Sequence, residues 1–243
     1  AYEALGLPYI FIPVEIDQED IATVMKSIDI FNIQGISCTM PFKLSVMKYL
    51  DHIDVVAKKI GAVNSIVNRN GKLSGYNTDY IGVLNPLEKI TRLKNKKVAI
   101  IGAGGAARAM IYAMKSANAN ISIFNRTLSH ANKLAQEFDV TAKSFNHLFE
   151  IKDMDIILNA IPIDKKAKTH PAEKFIQKHH IVFDAVYVPL ETHLLKIAKK
   201  KGAVVIPGME MFLSQAVAQF KLFTEKNAPE KIMREILLRG LQK

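Results

Sequence analysis

The chain has 243 residues, of which 49% are hydrophobic and 23% charged, with one cysteine and a formal net charge of +10. That length admits one large domain or two modest ones, and that composition is ordinary for a soluble globular protein. No leader or membrane span is expected, because no run of about 18 apolar residues occurs, and the lone Cys38 excludes an internal disulfide and suits a reducing cytosol. The lysines are scattered, with short clusters at 94–97, 165–168 and 199–201 and no interleaved aromatics. The basic balance therefore does not call for a nucleic-acid partner, and none is expected.

Ala1 to Leu5 has the look of a helix end, stopped by Gly6 and Pro8. Tyr9 to Ile16 has strand composition, with Pro13 indicating an edge or a bulge. Asp17 to Ile28 predicts a helix capped near Asp17, and Gln34 to Cys38 a short strand. Pro41 is preorganised for the first turn of a helix running to about Tyr49. Thr39 and Lys43 thus sit at a strand-to-helix junction, where α/β proteins place their sites. A helix follows over 53–60, ended by Gly61, then a strand over 62–67, an Asn70-Gly71 turn and a return strand from Lys72. Asp79 is placed to cap a helix running to about Ile90, and Arg92 to Lys97 forms a polar link and a natural boundary.

Val98 to Ile101 is a continuous apolar run, the pattern of a buried parallel strand. Gly102-Ala103-Gly104-Gly105-Ala106-Ala107 then makes a tight turn into a helix. Gly102 and Gly104 let the backbone turn and approach a pyrophosphate, and Ala107 takes the third position of G-x-G-x-x-G/A. The helix N-terminus offers N–H groups and a partial positive charge to phosphates. The second strand ends at Asn125-Arg126-Thr127, where an NAD site would place an acid for the ribose 2′-hydroxyl. A guanidinium there suits a 2′-phosphate, so the expected cofactor is NADP. The plain alternative is a solvated loop capping the next helix.

Strands are predicted at 98–101, 121–124, 155–158, 181–184 and 203–206. Helices are predicted at 105–117, 128–138, 191–200, 209–224 and, after Pro229, at about 229–240. The fold class is α/β: a Rossmann-like doubly wound parallel sheet and a smaller α/β domain with a mixed sheet.

The stretches Gly35 to Lys43, Ile60-Gly61-Ala62-Val63-Asn64 and Gly75-Tyr76-Asn77-Thr78-Asp79 continue into Gly102 to Ala106, Asn125-Arg126-Thr127, Asp184 to Pro189 and Gly208 to Gln215. In that order they resemble the shikimate dehydrogenase family over nearly the whole chain. The resemblance implies reversible NADPH reduction of 3-dehydroshikimate to shikimate, on the route to chorismate and the aromatic amino acids. It implies that Lys43 and Asp79 are the catalytic pair, and that Thr39, Asn64, Tyr187 and Gln215 bind the substrate's hydroxyls and carboxylate. Gly102, Ala103, Gly104, Gly105 and Ala106, with Asn125, Arg126 and Thr127, would hold NADP, and Gly208 and Met211 would lie by the nicotinamide. No metal is expected. The residue types suit the reaction: the cofactor moves a hydride to the carbonyl carbon, an ammonium polarises the carbonyl and gives up a proton, and a carboxylate holds that ammonium.

The implied organisation is a substrate domain over 1–84 completed by helices in 212–243, an NADP domain over 85–211, and a site in the cleft between them. A cytoplasmic monomer or homodimer is expected. The chain departs from the family in four places. It starts just after the family's first strand and its S-x-S motif, whose serines bind the carboxylate, so one side of the pocket and an edge of the small sheet are expected to be missing. Ser37-Cys38 stands where Asn-Val is usual, Tyr80 where Gly is common, and Ile161 where Thr is usual. Tyr80 and Glu210-Met211-Phe212 resemble the plant-type fused enzymes. Three alternatives compete. Arg126 argues against an NAD-type quinate/shikimate dehydrogenase, the G-A-V-N and N-T-D motifs against a methylenetetrahydrofolate dehydrogenase, and Lys43 with Asp79 against a non-catalytic NADP-binding remnant.

Overall fold

The computed structural model describes residues 1–162 and 169–241, so the basic cluster at 165–168 lies outside the described residues. The chain divides into two compact units. The first joins Ala1–Thr78 to Gln215–Leu238, and the second holds Asp79–Ser214 with the residues from Arg239 onward.

In the first unit the elements are α1 (Ile21–Ser27), β1 (Gly35–Ser37), α2 (Phe42–Ser45, continued as a 3-10 turn to Tyr49), β2 (His52–Ile53), α3 (Val55–Ile60), β3 (Ser65–Arg69) and β4 (Lys72–Tyr76). They form a mixed four-stranded sheet of order β1-β3-β4-β2. β3 runs antiparallel to both β1 and β4, and β2 runs parallel to β4. Asn70 and Gly71 close the β3–β4 hairpin, both at positive φ, as a type I′ turn requires. The core is Ile21, Met25, Ile28, Val46, Ala57, Val63, Ile66 and Leu73. The distant second segment is tied in by Gln219, whose Nε2 donates to Ser65 Oγ at 2.9 Å, and by Tyr2 stacked on Phe220 with ring centroids 5.2 Å apart.

Two expectations fail here. Residues 9–16 form no strand. Ile10, Phe11, Ile12 and Val14 are 61–85% exposed, and the segment pairs with no strand among the described residues. Strand composition makes a strand only where a neighbour takes up its backbone groups, and Pro13 removes one donor besides. The helix expected from residue 53 begins at Val55 instead. His52–Ile53 pairs with β4, and the Asp54 carboxylate caps α3 by accepting from Val56 N at 2.9 Å.

The second unit opens with α4 (Asp79–Glu88). It continues with β5 (Lys97–Ile101), α5 (Gly105–Ser116), β6 (Asn120–Asn125), α6 (Leu128–Phe138), β7 (Thr141–Ser144), β8 (Ile156–Asn159), β9 (Ile181–Asp184), α7 (His193–Lys200) and β10 (Val204–Ile206). The helices α8 (Gly208–Thr224) and α9 (Glu230–Leu241) follow. The six strands form a sheet of order β10-β9-β8-β5-β6-β7, and every pair in it is parallel. This is the doubly wound arrangement, in which the strand order reverses between β5 and β8 and a crevice opens at their C-terminal ends. Alternate strand residues feed two apolar layers. Val98 and Ile100 pack with Met110, Met114, Leu134 and Val83 on one face, and Ala99 and Ile101 with Leu148, Leu194 and Ala198 on the other. β7 has no counterpart in the sequence reading: Thr141-Ala142-Lys143-Ser144 is an edge strand with little apolar character.

Candidate active site

In the first unit a polar cluster is built around Asn64, which is 2% exposed. Its Oδ1 accepts from Thr78 N at 2.8 Å and from Ser65 Oγ at 2.8 Å. Its Nδ2 donates to Thr78 Oγ1 at 2.9 Å. The Thr78 hydroxyl lies 3.3 Å from Gln215 Oε1. Asn64 and Gln215, 151 residues apart, are thus brought into one cluster. The segment carrying Thr39 and Lys43 runs alongside: Cys38 N donates to the carbonyl of Asn64 at 2.8 Å, and Val63 N to the carbonyl of Lys43 at 2.8 Å. Thr39 is exposed and Lys43 half-buried in the first turn of α2. Burial pushes the Cys38 thiol up to about 11, against the opposing charge of Lys43. The thiolate is therefore disfavoured at Cys38, and Lys43 is near it. Sequence reasoning gave Thr78, Ser65 and Gln219 no role. Gln219 stands four residues after Gln215 on one helix, a spacing that puts both on the same face.

In the second unit Asp79 begins α4 and is 6% exposed. Gly102 follows β5 at a φ of 109°, which requires glycine, and a Cβ there would crowd the Ala160 carbonyl carbon at 3.2 Å. Gly104 precedes α5, and no side chain caps the helix. A Cβ at Gly104 or Gly105 would meet nothing within 4 Å. Open space over an uncapped helix N-terminus is a cradle that a diphosphate fits. Ala103, Gly105 and Ala106 are half-buried in the same turn. Asn125 closes β6 beside it, its Nδ2 donating to the carbonyl of Thr127 at 2.8 Å, while Arg126 and Thr127 are exposed. The guanidinium is therefore available to an anion at the edge of the crevice. A cavity of about 560 Å³ also occurs in this unit. Lys97, Asn120 and Thr141 line it, so it sits at the opposite, N-terminal ends of the strands, away from the site residues expected in this unit.

Beyond β9, Gly208 starts α8 hard against the backbone of 185–186, and Met211 is packed into the apolar layer at 9% exposed. Tyr187 is exposed. The ends of β8 and β9 are locked by Asp184, to which sequence reasoning gave no role. Its carboxylate accepts from Thr192 Oγ1 at 2.6 Å, Asn159 Nδ2 at 2.8 Å and Val186 N at 3.1 Å. Burial pushes its carboxyl up, and these three bonds oppose the rise. Asn159 Oδ1 lies 3.1 Å from His170 Nε2, and His170 Nδ1 accepts from Ala172 N at 3.2 Å. His170 is therefore the neutral Nε2–H tautomer.

Burial holds His170 down to about 4, and burial with the adjacent His179 holds His180 down to about 4. Both rings are neutral in the native state and take up a proton in the unfolded one between about pH 4 and their ordinary 6.5. Stability is therefore full above pH 6.5 and falls as the pH drops through that window, by on the order of 3 kcal/mol at most per ring. Urea unfolding at pH 7 and pH 5 measures the slope. His180→Phe is expected to flatten it, and an unaltered slope in that variant would refute the assignment.

Family models match along the chain: the shikimate dehydrogenase substrate binding domain over residues 1–66, shikimate / quinate 5-dehydrogenase over 86–190, and the shikimate 5′-dehydrogenase C-terminal domain over 208–238. The chain belongs to the shikimate dehydrogenase family. It is 38% identical to a shikimate dehydrogenase (NADP(+)) of Methanosphaera stadtmanae, covering 100% of this chain and 90% of that relative. Its fold matches a crystal structure of a shikimate dehydrogenase in complex with NADP+ at a TM-score of 0.94 and 35% identity, over 100% of this chain and 89% of that one. It also matches the shikimate 5-dehydrogenase of Thermus thermophilus in complex with NADP(H) and shikimate, at a TM-score of 0.91 and 31% identity, over 99% and 92%. Among the described residues of this shikimate dehydrogenase family member, no group of three His, Cys, Asp or Glu side chains could hold a metal, and no helix is long and apolar enough to cross a membrane.

Proposed function

We propose that the chain catalyses the reversible reduction of 3-dehydroshikimate to shikimate with NADPH, in the route to chorismate and the aromatic amino acids. The observation that carries the reading is the cluster of buried Asn64 and Thr78 with half-buried Gln215, the Lys43 segment bonded alongside it, in a member of this family. Amides and a hydroxyl of this kind suit a polyhydroxylated ring, which offers both donors and acceptors.

Asn64, Gln215, Thr39 and Tyr187 orient the substrate through its hydroxyls and carboxylate. Lys43 donates a proton to the carbonyl oxygen as the negative charge develops there, and Asp79 holds the ammonium in place. NADPH, when bound, supplies the hydride. The turn Gly102 to Ala106 receives the pyrophosphate, and Asn125, Arg126 and Thr127 receive the 2′-phosphate. Gly208 and Met211 shape the nicotinamide side. Residues 1–84 with 212–243 serve the substrate, and 85–211 serve NADP. The protein works on small molecules in the cytoplasm, as a monomer or homodimer.

NADP+ reduction with shikimate, beside quinate and NAD as controls, tests the reading. Turnover with shikimate and NADP+ is expected. Turnover only with quinate and NAD, or none in a protein that still binds NADP+, would overturn it. Arg126→Ala is expected to raise the KM for NADP+ about 10- to 100-fold, the worth of one or two charge-assisted hydrogen bonds, and to leave the KM for NAD where it was. An equal change with both cofactors would remove Arg126 from the phosphate site.

A further inference from the structure

Tyr187 follows β9 on a short exposed loop, and no hydrogen bond to its hydroxyl occurs among the described residues. A partly exposed phenol on a loop has several rotamers open to it, and each must be lost when it binds a ligand. Two features fix the backbone beneath it. Asp184 accepts from Val186 N at 3.1 Å, and Gly208 lies so close that a Cβ would be 2.4 Å from the Val186 oxygen. The ring itself is met by Phe212, four residues into α8, with centroids 5.0 Å apart and planes inclined at 41°. Both residues keep about two-fifths of their surface exposed, so the pair is no part of the core: Tyr187 is 41% and Phe212 38% exposed.

We propose that Phe212 is a positioning residue for substrate binding. Its ring fixes the orientation of the Tyr187 phenol and keeps that hydroxyl aimed for a hydroxyl or carboxylate of the substrate. The same helix begins at Gly208 and carries Met211, so the tyrosine takes its orientation from the element proposed to flank the nicotinamide. This inference rests on the reading of Tyr187 as a substrate residue.

The test uses the full chain and two readouts. In steady-state kinetics Phe212→Ala is expected to raise the KM for shikimate about five- to tenfold, the range of one aromatic pair, with kcat and the Kd for NADP+ each held within about twofold. Phe212→Leu keeps the bulk and removes the aromatic face, and is expected to behave as the alanine variant does. Phe212→Tyr is expected to restore the KM. In a Tyr187→Ala background Phe212→Ala is expected to add less than about twofold, because the ring it served is gone. In the second readout, independent of turnover, the ring resonance of Tyr187 in protein with labelled tyrosine is assigned by its loss in Tyr187→Phe. It is expected to shift in Phe212→Ala. An undiminished KM effect in the Tyr187→Ala background, or an unmoved resonance, overturns the inference. Absence of shikimate turnover in the parent protein would instead overturn the functional reading, and the resonance would still decide whether Phe212 packs on the ring.

Discussion

Lys43→Ala is expected to lower kcat by about three orders of magnitude, within the range of a lost general acid, while the Kd for NADP+ stays within about twofold. The anchorage of Lys43 makes this a clean test. The segment is held by its backbone, through the bond from Val63 N to the Lys43 carbonyl, and that bond survives any side-chain change. The side chain is half-buried and is not a member of the apolar core, so the melting temperature should hold. Lys43→Arg retains the positive charge but cannot give up a proton near neutral pH, and it is expected not to rescue. Rescue by arginine would mean that charge alone carries the effect. An alanine variant within about tenfold of the parent would remove Lys43 from the proton step.

The second large effect is expected at Gly208. A methyl group there would sit 2.4 Å from the Val186 oxygen, 2.5 Å from its carbonyl carbon and 2.8 Å from the Ala185 carbonyl carbon. These are backbone atoms, and they have little room to yield: Val186 N is bonded to Asp184, which is itself held by Thr192 and Asn159. Gly208→Ala is therefore expected to cost about 3 kcal/mol, at the upper end for overpacking, and to lower the melting temperature by about 6–12 °C. Gly104→Ala is the matched contrast. Nothing lies within 4 Å of its Cβ, and its φ of −95° suits any residue, so stability should be unchanged. The added methyl would instead occupy the cradle over α5 and weaken NADP+ binding, by about tenfold or more on loss of one close phosphate contact. Calorimetry and cofactor titration on the two variants separate a glycine kept for packing from one kept for a ligand. Equal melting temperatures would refute the first claim, and a Gly104→Ala variant with the parent's NADP+ affinity the second.

What the sequence disclosed depended on how local each signal was. The apolar runs at 98–101 and 156–158 are buried on both sides, so their composition alone marks them as central strands. The Gly102 turn is legible because its conformation is dictated within three residues. Thr141–Ser144 escaped because an edge strand needs no apolar run, and Tyr9–Ile16 misled because β composition without a neighbour is no strand. The site was legible as motifs but not as bonds. Nothing in Asn77-Thr78-Asp79 says that Thr78 reaches Gln215, 137 residues later, through its hydroxyl. Asp184 was visible as part of a motif, yet its work of joining two loop ends to a helix cap is a property of three elements at once.

The first unit is assembled from both ends of the chain, and this imposes a timetable on the ribosome. Asn64, Ser65 and Arg69 emerge early, but their partners Gln215, Gln219 and Glu225 are made only after the stretch 79–214. At about 5–20 residues per second that delay is roughly 7–27 s, during which the sheet of the first unit lacks the helix that completes it. The second unit is nearly continuous and can form as it leaves the exit tunnel. Chains ended at residue 214 and released from the ribosome should accordingly protect the six-stranded sheet from protease while the first 78 residues remain open to cleavage, and to capture by chaperones.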